Sequence, residues 1–382
     1  MTETKPFSLM VKPAGSACSM RCQYCYYIDN PESGSRFMSE EILEQTIRSY
    51  AAAASYPVLS YVWHGGEPTL RGIEFYKKAV ELQRKYLPEG FECWNSLQTN
   101  GLALNDEWCQ FLSLNHFDVG ISIDGTRAIH DTYRHDAAGN PTYERIRNNI
   151  TLLQKYGIQP DLLCTVTEDT ARDAYQVYNS LKRLRTGWVQ FIPIVNHDED
   201  GNISAESVRP DSYGKFLTEL FRLWLTKDFM TNDVQMFAEL LNVHNGARAT
   251  LCWLGETCGQ ALVIESDGGI YSCDHFVSHS HLLGNVTDTP LDQAVMSEKQ
   301  SVFGNAKRDE LPEKCRTCPY LHLCHGGCPK DRFLAGRENW LCEGLYAFFE
   351  YSTPVYQRLL ELLKQKVPKD QAIKILRREK LI

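Results

Sequence analysis

Between residues 6 and 194, short apolar runs alternate with segments of helical period. The runs are FSLMVKP, SYVWH, ECWNSLQTN, DVGISID, DLLCTVT and WVQFIPI, rich in the residues that favour strands. Between them, SEEILEQTIRSYAAAA, GIEFYKKAVELQRKYL, NDEWCQFLSLN and TYERIRNNITLLQKYG place apolar residues at i, i+3, i+4 and i+7, the period of a half-buried helix. Ser39 before Glu40 and Glu41, and Asn105 before Asp106 and Glu107, predict helix starts. Strand and helix alternating at this spacing predict βα units on a parallel sheet. Six units fall short of the eight that close a TIM barrel.

Residues 195–211 read as a polar loop, followed by the helical segment DSYGKFLTELFRLWLTKDF. From about residue 250 the pattern changes. ALVIE, the turn SDGG and IYSC predict a β-hairpin, and short elements punctuated by Cys, Gly and Pro follow. Three segments are expected: a parallel α/β domain over 1–235, a small Cys-rich domain over 236–350, and a C-terminal helical segment over 351–382 whose basic KILRREK is a solvated face.

Composition narrows the classes of function. A chain of 382 residues with 43% apolar content fills a core without disulfides. The 48 acidic and 40 basic residues are interspersed and leave a net charge of −8, so no broad attraction for nucleic acid or an anionic membrane is expected. No run of 18 apolar residues occurs, and MTETKPFSLMVKPAG lacks the basic and apolar regions of a signal peptide. A cytoplasmic location is the expectation. Fourteen cysteines in reducing cytosol point to metal ligation rather than disulfides. Cys93, Cys109 and Cys164 stand alone and read as small buried hydrophobes.

The other eleven form groups. Cys18, Cys22 and Cys25 make a C-x3-C-x2-C directly after the first predicted strand. Three thiolates in one short loop leave one iron of a [4Fe-4S] cluster open to a ligand that is not protein. A structural zinc would want a fourth protein ligand, and none lies nearby in sequence. Gly65-Gly66-Glu67-Pro68 follows the second run, where glycines let backbone approach a ligand closely. Cys315, Cys318, Cys324 and Cys328, with Cys252, Cys258 and Cys273 before and Cys342 after, supply eight ligands, enough for two metal centres, although four alone could hold one zinc.

The C-x3-C-x-Φ-C motif with Tyr24 at Φ resembles the radical S-adenosylmethionine superfamily. That resemblance implies a partial (β/α)6 barrel in which the open iron binds S-adenosylmethionine. It further implies that Gly65, Gly66 and Glu67 hold the methionine amino group. Asn100 in QTNG, Ser122 in SIDG and Arg134 in DTYRH would line the ribose and carboxylate; Asn100 and Ser122 also read as ordinary strand-end caps. The later cysteines resemble the auxiliary-cluster domain called SPASM. By that likeness Cys252, Cys258, Cys273 and Cys328 bind one [4Fe-4S] cluster, and Cys315, Cys318, Cys324 and Cys342 a second.

YSCDHFV, WHGGEP, SLQTNG and VGISIDG together resemble the anaerobic sulfatase-maturating enzymes over about residues 7–350. The resemblance implies oxidation of a cysteine or serine in a sulfatase segment of C/S-x-P/A-x-R type to formylglycine. Its cofactors would be S-adenosylmethionine and three [4Fe-4S] clusters, its general base Asp274, and its electron donor a flavodoxin or ferredoxin. A lone Asp beside a ligand cysteine also reads as an incidental surface acid. Tyr27, just after the cluster loop, and His64, just before GGEP, are candidate contacts to the substrate residue; His64 also reads as a strand-end histidine. A maturase that crosslinks a ribosomal peptide is the neighbouring expectation. The short stretch before the cluster loop leaves little room for the leader-binding domain many such enzymes carry.

Overall fold

The second apolar run folds as a strand whose residues alternate between half-buried and buried, so the period-2 pattern of VLSYVW is met residue by residue. The computed structural model describes residues 6–28, 37–197, 200, 202–334 and 336–382; three residues of the expected polar loop, 198, 199 and 201, lie outside these. All six expected strands form: β1 (Ser8–Val11), β2 (Val58–Trp63), β3 (Glu92–Thr99), β4 (Asp118–Ser122), β5 (Asp161–Val166) and β6 (Val189–Pro193). The four helical patterns become helices Glu40–Ala52, Ile73–Tyr86, Asp106–Leu114 and Tyr143–Lys155. Ser39 caps the first by accepting from the Ile42 N–H, and Asn105 caps the third by accepting from the Trp108 N–H. The expected hairpin forms as β7 (Ala261–Ile264) and β8 (Gly269–Tyr271), and β9 (Leu282–Asn285), which the sequence did not suggest, pairs with β8.

The chain divides into two compact units, at places other than the expected boundaries. The first comprises residues 1–123, 130–161 and 258–306; the second comprises residues 124–129, 162–257 and 307–382. The reason lies in strand pairing. In the first unit β1 to β4 lie parallel, and β7 extends the sheet by pairing in parallel with β1 in the register Val11↔Ile264. The segment carrying Cys258 and Cys273 therefore belongs with the first strands. Beneath this sheet Trp63, Tyr76 and Trp108 pack edge to face at 5.4 and 5.3 Å.

In the second unit β5 and β6 pair in parallel. Helices Pro210–Leu223 and Cys342–Lys364 approach closely because both carry glycine at the contact. A Cβ on Gly344 would fall 2.0 Å from the Pro210 carbonyl oxygen, and one on Gly214 would fall 2.7 Å from that of Gly344. Cys342 starts the second of these helices, so the glycine two residues on fixes where that cysteine sits. The helix runs through the expected boundary at residue 350, and the C-terminal segment is part of this unit rather than separate from it. Among the described residues no helix is long and apolar enough to cross a membrane.

Candidate active site

The three-cysteine loop leaves β1 at Lys12 and is pinned along its length. The Arg21 and Gln23 N–H groups donate to the carbonyls of His135 and Tyr133, and the Cys25 N–H closes a turn on the Cys22 carbonyl. The Cys18 thiol is pushed up to about 12, by burial first and then by the neighbouring Glu67, Cys22 and Cys25 charges, against the Met20 N–H that favours the thiolate. Three half-buried thiols in one short loop fit an iron centre, whose positive charge favours the thiolate form its ligands need. Among the described residues no three His, Cys, Asp or Glu side chains converge on a single ion.

The segment after β2 closes on this loop through backbone. The Gly66 and Glu67 N–H groups donate to the carbonyls of Gly15 and Ala17 at 2.8 Å. Gly65 holds φ +112°, and a Cβ on Gly66 would lie 2.2 Å from the Ala17 carbonyl oxygen, so only glycine permits the approach. Glu67 differs from the expected contact. It is wholly buried, and its carboxylate accepts from the Thr69 N–H and hydroxyl, the Thr99 hydroxyl and the Asn100 N–H. Its side chain thereby ties the end of β3 to the glycine segment, and what faces the cluster loop is the backbone.

Asn100 and Ser122 sit just beyond and at the C-terminal ends of β3 and β4, parallel neighbours with Thr99 opposite Ile121, the end of a parallel sheet where ligands bind. The Asn100 amide donates to the Ser19 hydroxyl at 3.1 Å and lies 3.7 Å from the Cys18 sulfur. Ser122 accepts from Gln98 at 3.3 Å. The buried Arg134 guanidinium lies 5.4 Å from the centroid of the Tyr24 ring and 3.9 Å from the Cys22 sulfur. Cysteines, glycines, Tyr24, Asn100 and Arg134 are thus brought to one place, with Ser122 on the adjoining strand end.

Around Asp274 the structure assembles a charge cluster that the sequence did not reveal. The Lys12 ammonium, on a side chain with no exposed surface, lies 2.6 Å from Asp274 Oδ1 and 3.3 Å from Glu265 Oε1. The contact to Asp274 is an ion pair whose angles are not those of a hydrogen bond. The same ammonium stands 3.7 Å over the Tyr27 ring. The Tyr27 hydroxyl donates to both Glu265 oxygens, at 2.9 and 2.7 Å. Burial pushes the Glu265 carboxyl up, despite Lys12 and Tyr27. Burial would raise Asp274 too, but the Lys12 charge, with His64 and His275, holds it well below the usual carboxylate range.

Strand register produces this cluster. Val11 lies opposite Ile264, so Lys12 and Glu265 follow side by side as the two strands end. The only signal in the sequence was a charged residue closing each of two apolar runs, FSLMVK and ALVIE. Tyr27 is 4% exposed and committed to Glu265, whereas Tyr26 is 48% exposed and its hydroxyl donates to Asp274 Oδ2. The open tyrosine at Asp274 is therefore Tyr26, one residue before the expected contact. His64 accepts the Gly65 N–H at Nδ1, and burial lowers its proton affinity.

In the second unit Cys315, Cys318, Cys324 and Cys342 line one cavity of about 110 Å³, with Tyr320, Leu345 and Phe349 among its other lining residues. Four thiols around an apolar space fit a fully cysteine-ligated cluster. Burial chiefly, then the Asp331 charge, pushes the Cys328 thiol up to about 12, with a smaller push from nearby Cys252. Lone Cys109 and Cys164 are buried as expected, and Cys93 is half-buried.

Residues 13–181 match the family model of the radical SAM superfamily, and residues 252–319 match that of an iron-sulfur cluster-binding domain. A serine-type anaerobic sulfatase-maturating enzyme of Bacteroides thetaiotaomicron is 36% identical over 97% of both chains. A cysteine-type enzyme of Clostridium perfringens is 35% identical over 91% of this chain and 97% of its own. The solved structure "Native anSMEcpe with bound AdoMet and Cp18Cys peptide" covers 92% of this chain and 98% of its own, with a TM-score of 0.85 at 34% identity. Fold, cysteine loop and glycine segment define a radical S-adenosylmethionine enzyme of (β/α)6 partial-barrel type with a SPASM domain, using S-adenosylmethionine and [4Fe-4S] clusters. The chain belongs to the family of anaerobic sulfatase-maturating enzymes.

Proposed function

We infer that this enzyme oxidises the side chain of a cysteine or serine in a sulfatase segment of C/S-x-P/A-x-R type to the aldehyde of formylglycine, with Asp274 as the base. When bound, S-adenosylmethionine on the reduced cluster supplies the hydrogen-abstracting 5′-deoxyadenosyl radical that no side chain can provide. Cys18, Cys22 and Cys25 would hold that cluster. Gly65 and Gly66 through their backbone, with Tyr24, Asn100, Ser122 and Arg134, would orient the cofactor. Cys252, Cys258, Cys273 and Cys328, then Cys315, Cys318, Cys324 and Cys342, would hold the auxiliary pair.

The observation that carries the reading is the Asp274 carboxylate, fixed on one side by Lys12 and one residue from Cys273. The oxidation requires loss of a Cβ hydrogen, the heteroatom proton and a further electron; serine then carries the aldehyde itself, and cysteine a thioaldehyde that water hydrolyses to the aldehyde with release of hydrogen sulfide. A carboxylate within hydrogen-bond reach of the heteroatom takes that proton, and the neighbouring Cys273 would hold a cluster able to accept an electron. The electrons would come from a flavodoxin or ferredoxin, in the cytoplasm. His64 and Tyr26 border the place where the substrate side chain would sit.

The test is reconstituted, reduced enzyme with peptides carrying S-x-P-x-R or C-x-P-x-R, read for aldehyde by mass spectrometry. Asp274→Asn is expected to keep its iron and still form 5′-deoxyadenosine while yielding little aldehyde. Wild-type product from that variant would remove Asp274 from the reaction.

A further inference from the structure

In the second unit the chain between Cys324 and Cys328 turns around a single guanidinium. His325, Gly326 and Gly327 all hold left-handed backbone, at φ +46°, +77° and +66°, and Arg332 closes the bend by donating to their carbonyls. Its Nε lies 3.0 Å from the Gly326 oxygen, and its Nη2 lies 2.7 Å from that of His325 and 3.5 Å from that of Gly327. Nη1 donates to the Lys307 carbonyl at 2.7 Å, so every nitrogen of the fork is anchored on backbone. Gly326 stands between this cation and the cysteines. It lines the cavity of Cys315, Cys318, Cys324 and Cys342, and a Cβ on it would fall 2.5 Å from Arg332 Nη2. The guanidinium therefore lies one glycine behind the wall of the space that the four thiols surround.

A bend of carbonyls can be held by any hydrogen-bond donor, and a neutral amide would serve. A cation in that place does more. A cluster ligated by four thiolates is an anion, and taking up an electron adds to its negative charge. A fixed positive charge nearby stabilises the reduced form more than the oxidised one. We propose that Arg332 is a positioning residue that raises the reduction potential of the cluster held by Cys315, Cys318, Cys324 and Cys342, poising it to accept an electron. The proposal rests on the reading above that these four cysteines hold a cluster.

The test is protein-film voltammetry on the reconstituted holoenzyme, with the wave of this cluster identified as the one that Cys342→Ala lacks. Arg332→Gln keeps a donor for the bend and removes the charge, so the wave should move to lower potential. The expected change is about tenfold in the ratio of reduced to oxidised cluster at a given potential, the low end of what one nearby charge does to an ionisation, or about 59 mV for a one-electron couple. Arg332→Lys keeps the charge and loses the fork, and its wave should stay close to that of the wild type. Only molecules that carry the cluster give the wave, so partial loss of iron leaves the reading intact; if Arg332→Gln loads no cluster, the wave of Arg332→Lys decides alone. A wave unmoved by Arg332→Gln, or moved down by about the same amount in Arg332→Lys, overturns the proposal. A Cys342→Ala enzyme that keeps all the iron and every wave of the wild type overturns the cluster reading instead.

Discussion

Lys12 is the charge on which the Asp274 site depends, and replacing it with methionine tests that directly. The substitution keeps the chain length of the stem and deletes the ammonium. It leaves Glu265, 2% exposed, and Asp274, 16% exposed, without their shared cation. Breaking a buried ion pair costs about 3–5 kcal/mol. Glu265 keeps both bonds from the Tyr27 hydroxyl and Asp274 has some access to solvent, so the lower end, about 3 kcal/mol, is expected. For a unit of this size that is a fall in Tm of roughly 6–12 °C, measured by anaerobic scanning calorimetry on the reconstituted protein. Lys12→Met with Glu265→Gln removes the uncompensated buried carboxylate as well, and should recover about half of the loss. A single variant melting with the wild type, or a double variant that loses the sum of both singles, would refute the account of Lys12 as their common partner.

Gly66→Ala places a Cβ 2.2 Å from the Ala17 carbonyl oxygen. The glycine segment must then withdraw from the cluster loop by about 1 Å, enough to cut 5′-deoxyadenosine formation by about a hundredfold; wild-type formation would show that the approach is not needed. Cys342→Ala removes one lining thiol of the second-unit cavity; iron analysis should fall by about four irons of about twelve per chain, and an unchanged count would exclude Cys342 as a ligand. His244 titrates in the fold at about 4, chiefly through burial and then through His322, whereas the unfolded chain takes up its proton near 6.5. Its contribution is therefore complete above pH 6.5 and is lost as pH falls toward 4. His244→Phe, which keeps the stacking on Tyr356, should narrow the gap in melting temperature between pH 7.5 and pH 5, and an unchanged gap would place the titration elsewhere.

The six strands and four helices of the barrel were legible in the sequence because each is a local pattern. Alternating or 3.6-period burial and a capping Ser39 or Asn105 need only a few neighbouring residues. The cluster loop was legible for the same reason, since three cysteines within eight residues of chain carry their own chemistry. What tertiary structure alone decided is pairing at a distance. Lys12 and Glu265 read as unremarkable strand-end charges until β1 and β7 lie in register across some 250 residues of sequence, and no local pattern encodes that register. The same pairing moves residues 258–306 into the first unit and sets Asp274 between a buried lysine and Tyr26. Sequence offered Asp274 as a candidate base; only the fold shows that one of its oxygens is sealed against Lys12.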